Sequence, residues 1–67
     1  MIEVTANGKD YRVDEGTTIE EFLRLLDLGP GALAVECNEK VVPRAEFGTR
    51  RLAEGDRLEI VTLVGGG

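Results

Sequence analysis

The sequence predicts an α+β fold in which one helix packs on a mixed sheet of four to five strands. Three observations carry this. Apolar and polar residues alternate near both ends of the chain. One internal stretch switches to a helical period. The patterns follow in the order strand, strand, helix, strand, short strand, strand.

The first element is IEVTA, where Ile2, Val4 and Ala6 alternate with Glu3 and Thr5. That period of two marks a half-buried strand. Asn7-Gly8 follows, a dipeptide suited to a two-residue hairpin turn whose central residues need positive φ. KDYRVD resumes the alternation through Tyr11 and Val13 and completes a hairpin.

The period then changes. Ile19, Phe22, Leu23 and Leu26 stand at i, i+3, i+4 and i+7, one face of a helix of about ten residues. Thr18 and Glu21 fit a capping box at its start, and Glu20 with Glu21 complements the helix dipole. Gly29 is placed to supply a left-handed stop, and Pro30 forbids continuation.

LAVECNEKVV reads as the third strand, with a turn at Asn38-Glu39-Lys40 and an end at Pro43, which cannot donate to a ladder. RAEFGTRRLAEGD suggests one helical turn and then a brief strand, closed by a turn at Glu54-Gly55-Asp56. RLEIVTLV is the last strand. A hairpin, a crossing helix and a final strand entering the sheet beside the first make the β-grasp, or ubiquitin-like, arrangement. Ile2, Val4, Val13, Val35, Leu58 and Ile60 join the helix stripe in a single core. The division is a domain at 1–64 and a flexible glycine tail at 65–67.

With 67 residues the chain is one domain. A domain of this length buries only about 60% of the surface its unfolded chain exposes, so an internal active-site cavity would consume much of the core. The chain has no histidine and one cysteine. A Ser-His or Cys-His nucleophile pair, a Cys/His zinc site and an internal disulfide are therefore excluded. Cys37 reads most plainly as a small buried apolar residue, with a redox or transfer thiol as the alternative. Asp14-Glu15 and Glu20-Glu21 read as turn and capping charge. Arg50-Arg51 lacks interleaved aromatics and reads as solvated or partner-facing. No metal site is expected.

The net charge of −5 argues against nucleic acid and favours a partner with a basic face. There is no apolar run of about 20 residues for a bilayer and no signal-peptide layout in MIEVTANG. A cytoplasmic monomer is the expectation.

Chemistry then falls to the end of the sequence. After Val64 come Gly65, Gly66 and Gly67. Glycine has no Cβ, so such a tail threads a channel too narrow for side chains. The carboxylate of Gly67 becomes an electrophile once AMP is transferred to it from ATP. Nothing in the chain reads as a nucleotide loop, so a partner must hold the ATP.

The NG hairpin, the helix entry GTTIEEFL, the segment CNEKVVPRAEF and the ending EGDRLEIVTLVGGG together resemble the ThiS-type sulfur carriers of thiamine biosynthesis. These belong to the wider ubiquitin-like sulfur carriers that include the MoaD type. The resemblance covers essentially the whole chain. It implies that a ThiF-type adenylyltransferase activates the terminal glycine and that a persulfide derived through a cysteine desulfurase supplies sulfur. The resulting thiocarboxylate would deliver sulfur to a ThiG-type thiazole synthase. By motif, Gly67 would bear the sulfur and Gly66 complete the essential pair. The family usually has a small residue before that pair, where this chain has Gly65.

Parity adds a docking surface. Leu58 and Ile60 share one face of the last strand, which puts Val61 and Leu63 on the other. Rival functions are a sulfur carrier for another pathway (molybdopterin, transfer RNA thiolation or cysteine), a ubiquitin-like modifier ligated through Gly67, and a plain interaction module.

Overall fold

The computed structural model describes residues 1–28 and 33–62, Leu33 by its backbone alone. The stop expected at Gly29 and Pro30, and Leu63, Gly65, Gly66 and Gly67, lie outside the described residues.

The elements are β1 (Ile2–Ala6), β2 (Lys9–Val13), α1 (Ile19–Leu25), β3 (Leu33–Cys37), β4 (Lys40–Val41), a 3-10 turn (Arg44–Glu46) and β5 (Arg57–Thr62). The sheet has five strands in the order β2-β1-β5-β3-β4. β5 runs parallel to β1 and antiparallel to β3, so it is the central strand. This is the β-grasp arrangement expected from the order of elements.

The first hairpin forms as its turn dipeptide dictates. Asn7 and Gly8 take φ of 51° and 83°, and Ala6 pairs with Lys9 across the two-residue loop. The capping box of α1 is complete: the Glu21 amide donates to Thr18 Oγ1 at 3.2 Å, and the Thr18 amide donates to Glu21 Oε1 at 3.0 Å. Two further amides of the first turn, Ile19 and Glu20, donate to the carbonyls of Arg50 and Phe47. The segment after the 3-10 turn is thus drawn to the helix entrance by orphan donors that need acceptors.

Three expectations are corrected. The helix has seven residues and stops before the glycine assigned to it. Asp27 takes the left-handed position at φ 63°, and its amide donates to Arg24 O while that of Leu28 donates to Leu23 O. This is a Schellman closure, which satisfies the last carbonyls one turn early. Leu26, at the C-cap, is consequently only half-buried. Second, LAVECNEKVV is two strands, because Asn38 and Glu39 (φ 53° and 70°) fold it into a hairpin and Lys40 already belongs to β4. Third, the brief strand after RAEF is a single bridge between Arg51 and Thr18. That stretch serves the helix entrance, not the sheet.

The core lies between α1 and the inner sheet face. All six inward strand residues named above are buried, with Ile19, Phe22 and Leu23 from the helix and Val42, Phe47 and Leu52 from the connecting segments. Phe22 is 1% exposed and meets Tyr11 edge-on at 5.4 Å. Truncating such a side chain to alanine costs about 3–5 kcal/mol, a large part of the total stability of a small domain.

Candidate functional site

β5 connects the core to the tail, and its two faces differ as alternation requires. Leu58 and Ile60 are 2% and 7% exposed, whereas Val61 is 55% exposed. Val61 therefore lies on the outer face, as parity predicts, and RAEF does not cover it; Leu63 falls outside the described residues. Register supplies its neighbours. Ala34 of β3 stands opposite Val61, and Glu36 stands opposite both Glu59 of β5 and Val41 of β4. Val41 is the most exposed aliphatic side chain of the described sheet, at 71%. Its exposure does not follow from the sequence reading, in which Asn38 makes a turn within one strand and the facing of Val41 stays undetermined.

Two asparagines hold β5 in place. β1 ends at Ala6, so beyond Leu58 the central strand has no strand partner on that side among the described residues. The carboxamide of Asn7 takes over. Its Oδ1 accepts from the Ile60 amide at 2.7 Å, and its Nδ2 donates to the Ile60 carbonyl at 3.0 Å. A carboxamide offers one acceptor and a donor in the same arrangement as a peptide, so the side chain substitutes for the missing strand. At the other end of β5, Asn38 Oδ1 accepts from the Arg57 amide at 3.0 Å, and its Nδ2 donates to Asp56 Oδ1 at 3.0 Å. Both residues were read from sequence only as turn formers. The available signal was asparagine at each turn's first position, since glycine would meet the φ requirement but bind nothing.

Internal chemistry is sparse. Cys37 is 1% exposed and free of disulfide. Burial pushes its thiol pKa up, reinforced by the charge of Asp56 and opposed by Arg50. A thiol held protonated in this way is a weak nucleophile, which supports the plain reading of Cys37. Glu21 is occupied with capping, and Glu20 pairs with Arg24 at 3.7 Å on an exposed helix face. Arg50 and Arg51 are exposed. Among the described residues no group of three His, Cys, Asp or Glu side chains could hold a metal ion, and no helix is long and apolar enough to cross a membrane.

Comparison with known families resolves what such a scaffold is. The model of the ThiS family matches residues 2–67. The chain belongs to the ThiS family. Among solved structures, the crystal structure of the thiamine biosynthesis protein ThiS from Geobacter metallireducens superposes with a TM-score of 0.80 at 32% identity, covering 98% of this chain and all of that one. A thiazole synthase of Magnetococcus marinus is 38% identical over 66 residues, 98% of this chain. The chain spans 20% of that protein's length. The sulfur carrier protein ThiS of Escherichia coli is 24% identical over 98% of this chain and 100% of its own length.

Proposed function

We propose that this ThiS-family chain is a sulfur carrier of thiamine biosynthesis, a protein cosubstrate that partner enzymes act on. One observation carries the reading: the family match runs from Ile2 through Gly67 and so includes both the β-grasp body and the glycine pair. The relative named sulfur carrier protein supports it.

The chemistry centres on the Gly67 carboxylate. A ThiF-type adenylyltransferase, holding the ATP, transfers AMP to one carboxylate oxygen and releases pyrophosphate. The terminal sulfur of a persulfide, derived through a cysteine desulfurase, attacks the acyl carbon and expels AMP. A thiol then cleaves the sulfur–sulfur bond and leaves a thiocarboxylate on Gly67. Gly65 and Gly66 give the tail its narrow cross-section. The sulfur acceptor is thiazole synthase, a partner supported by a protein of that name containing a stretch 38% identical to this chain. The chain binds no cofactor of its own and acts in the cytoplasm as a monomer between encounters.

Docking uses Val61 on the outer face of β5, with Leu63 as the second residue that sequence parity assigns to it. The exposed Val61, on the strand that leads toward the tail, gives a partner a grip close to the reacting atom. Substituting Val61 by aspartate leaves the core untouched. It should raise the carrier's KM for adenylation about tenfold, with an unchanged melting curve; an unchanged KM sinks the docking face.

The function itself is tested by intact mass. Incubation with adenylyltransferase, ATP and persulfide donor should add about 16 Da, one oxygen replaced by sulfur. A Gly67-deleted chain should show no gain. Ligation to a lysine would instead identify a modifier.

A further inference from the structure

The geometry points to Asn7 as a positioning residue for the activation reaction, acting through Ile60 to steady the end of β5 that leads toward the tail. This rests on the carrier reading above.

The argument follows the hydrogen bonds along β5. Asn7 N donates to Leu58 O at 3.0 Å, the last backbone bond between the first hairpin and the central strand. Two residues on, Ile60 turns both its amide and its carbonyl toward the same side, where β1 has already ended. Asn7 satisfies both groups. Because Ile60 spends its backbone groups on Asn7, it is bonded to the body from this side, while Val35 stands opposite it on β3. Beyond it, Val61 and Thr62 pair, among the described residues, with Ala34 and Leu33 of β3 alone. The described chain is thus held from two sides up to Ile60 and from one side thereafter.

That boundary sets how firmly the strand end is directed toward the tail. From Thr62, the end of β5, to Gly67 is five residues, which span at most about 18 Å when extended. Releasing Ile60 would leave β5 beyond Leu58 held by β3 alone and widen the range of directions in which it hands the chain on to the tail. A less firmly directed strand end lowers the probability of finding the carboxylate in the attack geometry. It leaves the outer docking face as it is, since Asn7 makes its contacts through the side of the strand. The predicted defect is therefore in kcat and not in KM.

Asn38 provides the matched control. It grips the same strand by the same kind of bond, at the end remote from the tail. Replacing either asparagine by glycine keeps the positive φ that its turn needs and deletes only the carboxamide.

The experiment measures steady-state adenylation of the full chain by its activating enzyme for wild type, Asn7→Gly and Asn38→Gly, well below their melting temperatures. For Asn7→Gly, kcat should fall about fivefold with KM unchanged, and Ile60 amide exchange should accelerate. For Asn38→Gly, kcat should be that of wild type, although the Arg57 amide exchanges faster. Equal kcat for all three proteins would overturn the proposal, as would an equal fall in both variants, which would mark a purely structural role. Wild type that is never adenylated would remove the carrier reading and this inference together.

Discussion

The two hairpin turns of this molecule begin alike and end differently. Asn7-Gly8 and Asn38-Glu39 both join strands through two residues of positive φ. In each, the asparagine amide donates to a carbonyl of β5, Leu58 in one case and Arg57 in the other. In each, its Oδ1 accepts from an amide of the same strand. Asn7, however, spends its Nδ2 on the Ile60 backbone in a part-buried setting, whereas Asn38 spends its own on the Asp56 carboxylate in an exposed setting. The second residues differ too: glycine adopts the left-handed conformation without penalty, and Glu39 does not. One turn is optimised as a joint of the sheet, the other is a compromise at its rim. A turn residue's energetic weight thus depends on what its side chain replaces.

The largest expected effect comes from breaking the better joint. Asn7→Ala removes two part-buried hydrogen bonds and places an alanine at φ 51°. Hydrogen bonds near 1 kcal/mol each and a left-handed penalty of similar size give a loss of about 3 kcal/mol in urea unfolding. Asn38→Ala should cost about half as much, because its partners are exposed and regain water. Similar losses for the two would erase the distinction.

The second turn positions sharpen it in opposite senses. Adding a side chain at Gly8 meets nothing within 4 Å, so the cost of Gly8→Ala is conformational alone, about 1 kcal/mol. The converse change, Glu39→Gly, relieves the strain and should stabilise the domain by about 0.5–1 kcal/mol. Thermal melts of the pair read both signs.

The smallest effect near neutral pH belongs to Cys37, which directly precedes the second turn. Burial raises its pKa in the folded state, so the folded chain holds its proton more tightly than the unfolded chain. Its contribution is fully present below the ordinary thiol range and is lost as pH rises from there toward the raised value. Stability should decline across that alkaline window. The decline should vanish in Cys37→Ala, and native Cys37 should resist alkylation until the domain opens.

Much of the architecture was legible because the signals are local. The period of two in IEVTA, the helical spacing of Ile19, Phe22 and Leu23, the Asn7-Gly8 turn and the Thr18–Glu21 box each require only neighbours in sequence. Errors arose where a local signal had two readings. Gly29-Pro30 is a competent helix stop, but Asp27 closes the helix first, through bonds to Leu23 and Arg24. RLAE has strand-like residues, but Arg51 answers to Thr18 at the helix entrance. Of the candidate site, the facing of Val61 followed from parity alone. The exposure of Val41 did not, because it depends on a turn whose second residue, Glu39, has no bias toward positive φ.

The sequence by itself determined the order of elements, the core stripe and the family, through the resemblance its motifs carry. Tertiary structure alone decided that β3 pairs along the other side of β5, and that Asn7 and Asn38, distant in sequence from that strand, supply its missing partners. The physical reason is range. Periodicity, capping and turn conformation are fixed within a few residues, but a backbone group left unpaired by the end of one strand is satisfied by whatever side chain the fold brings to it.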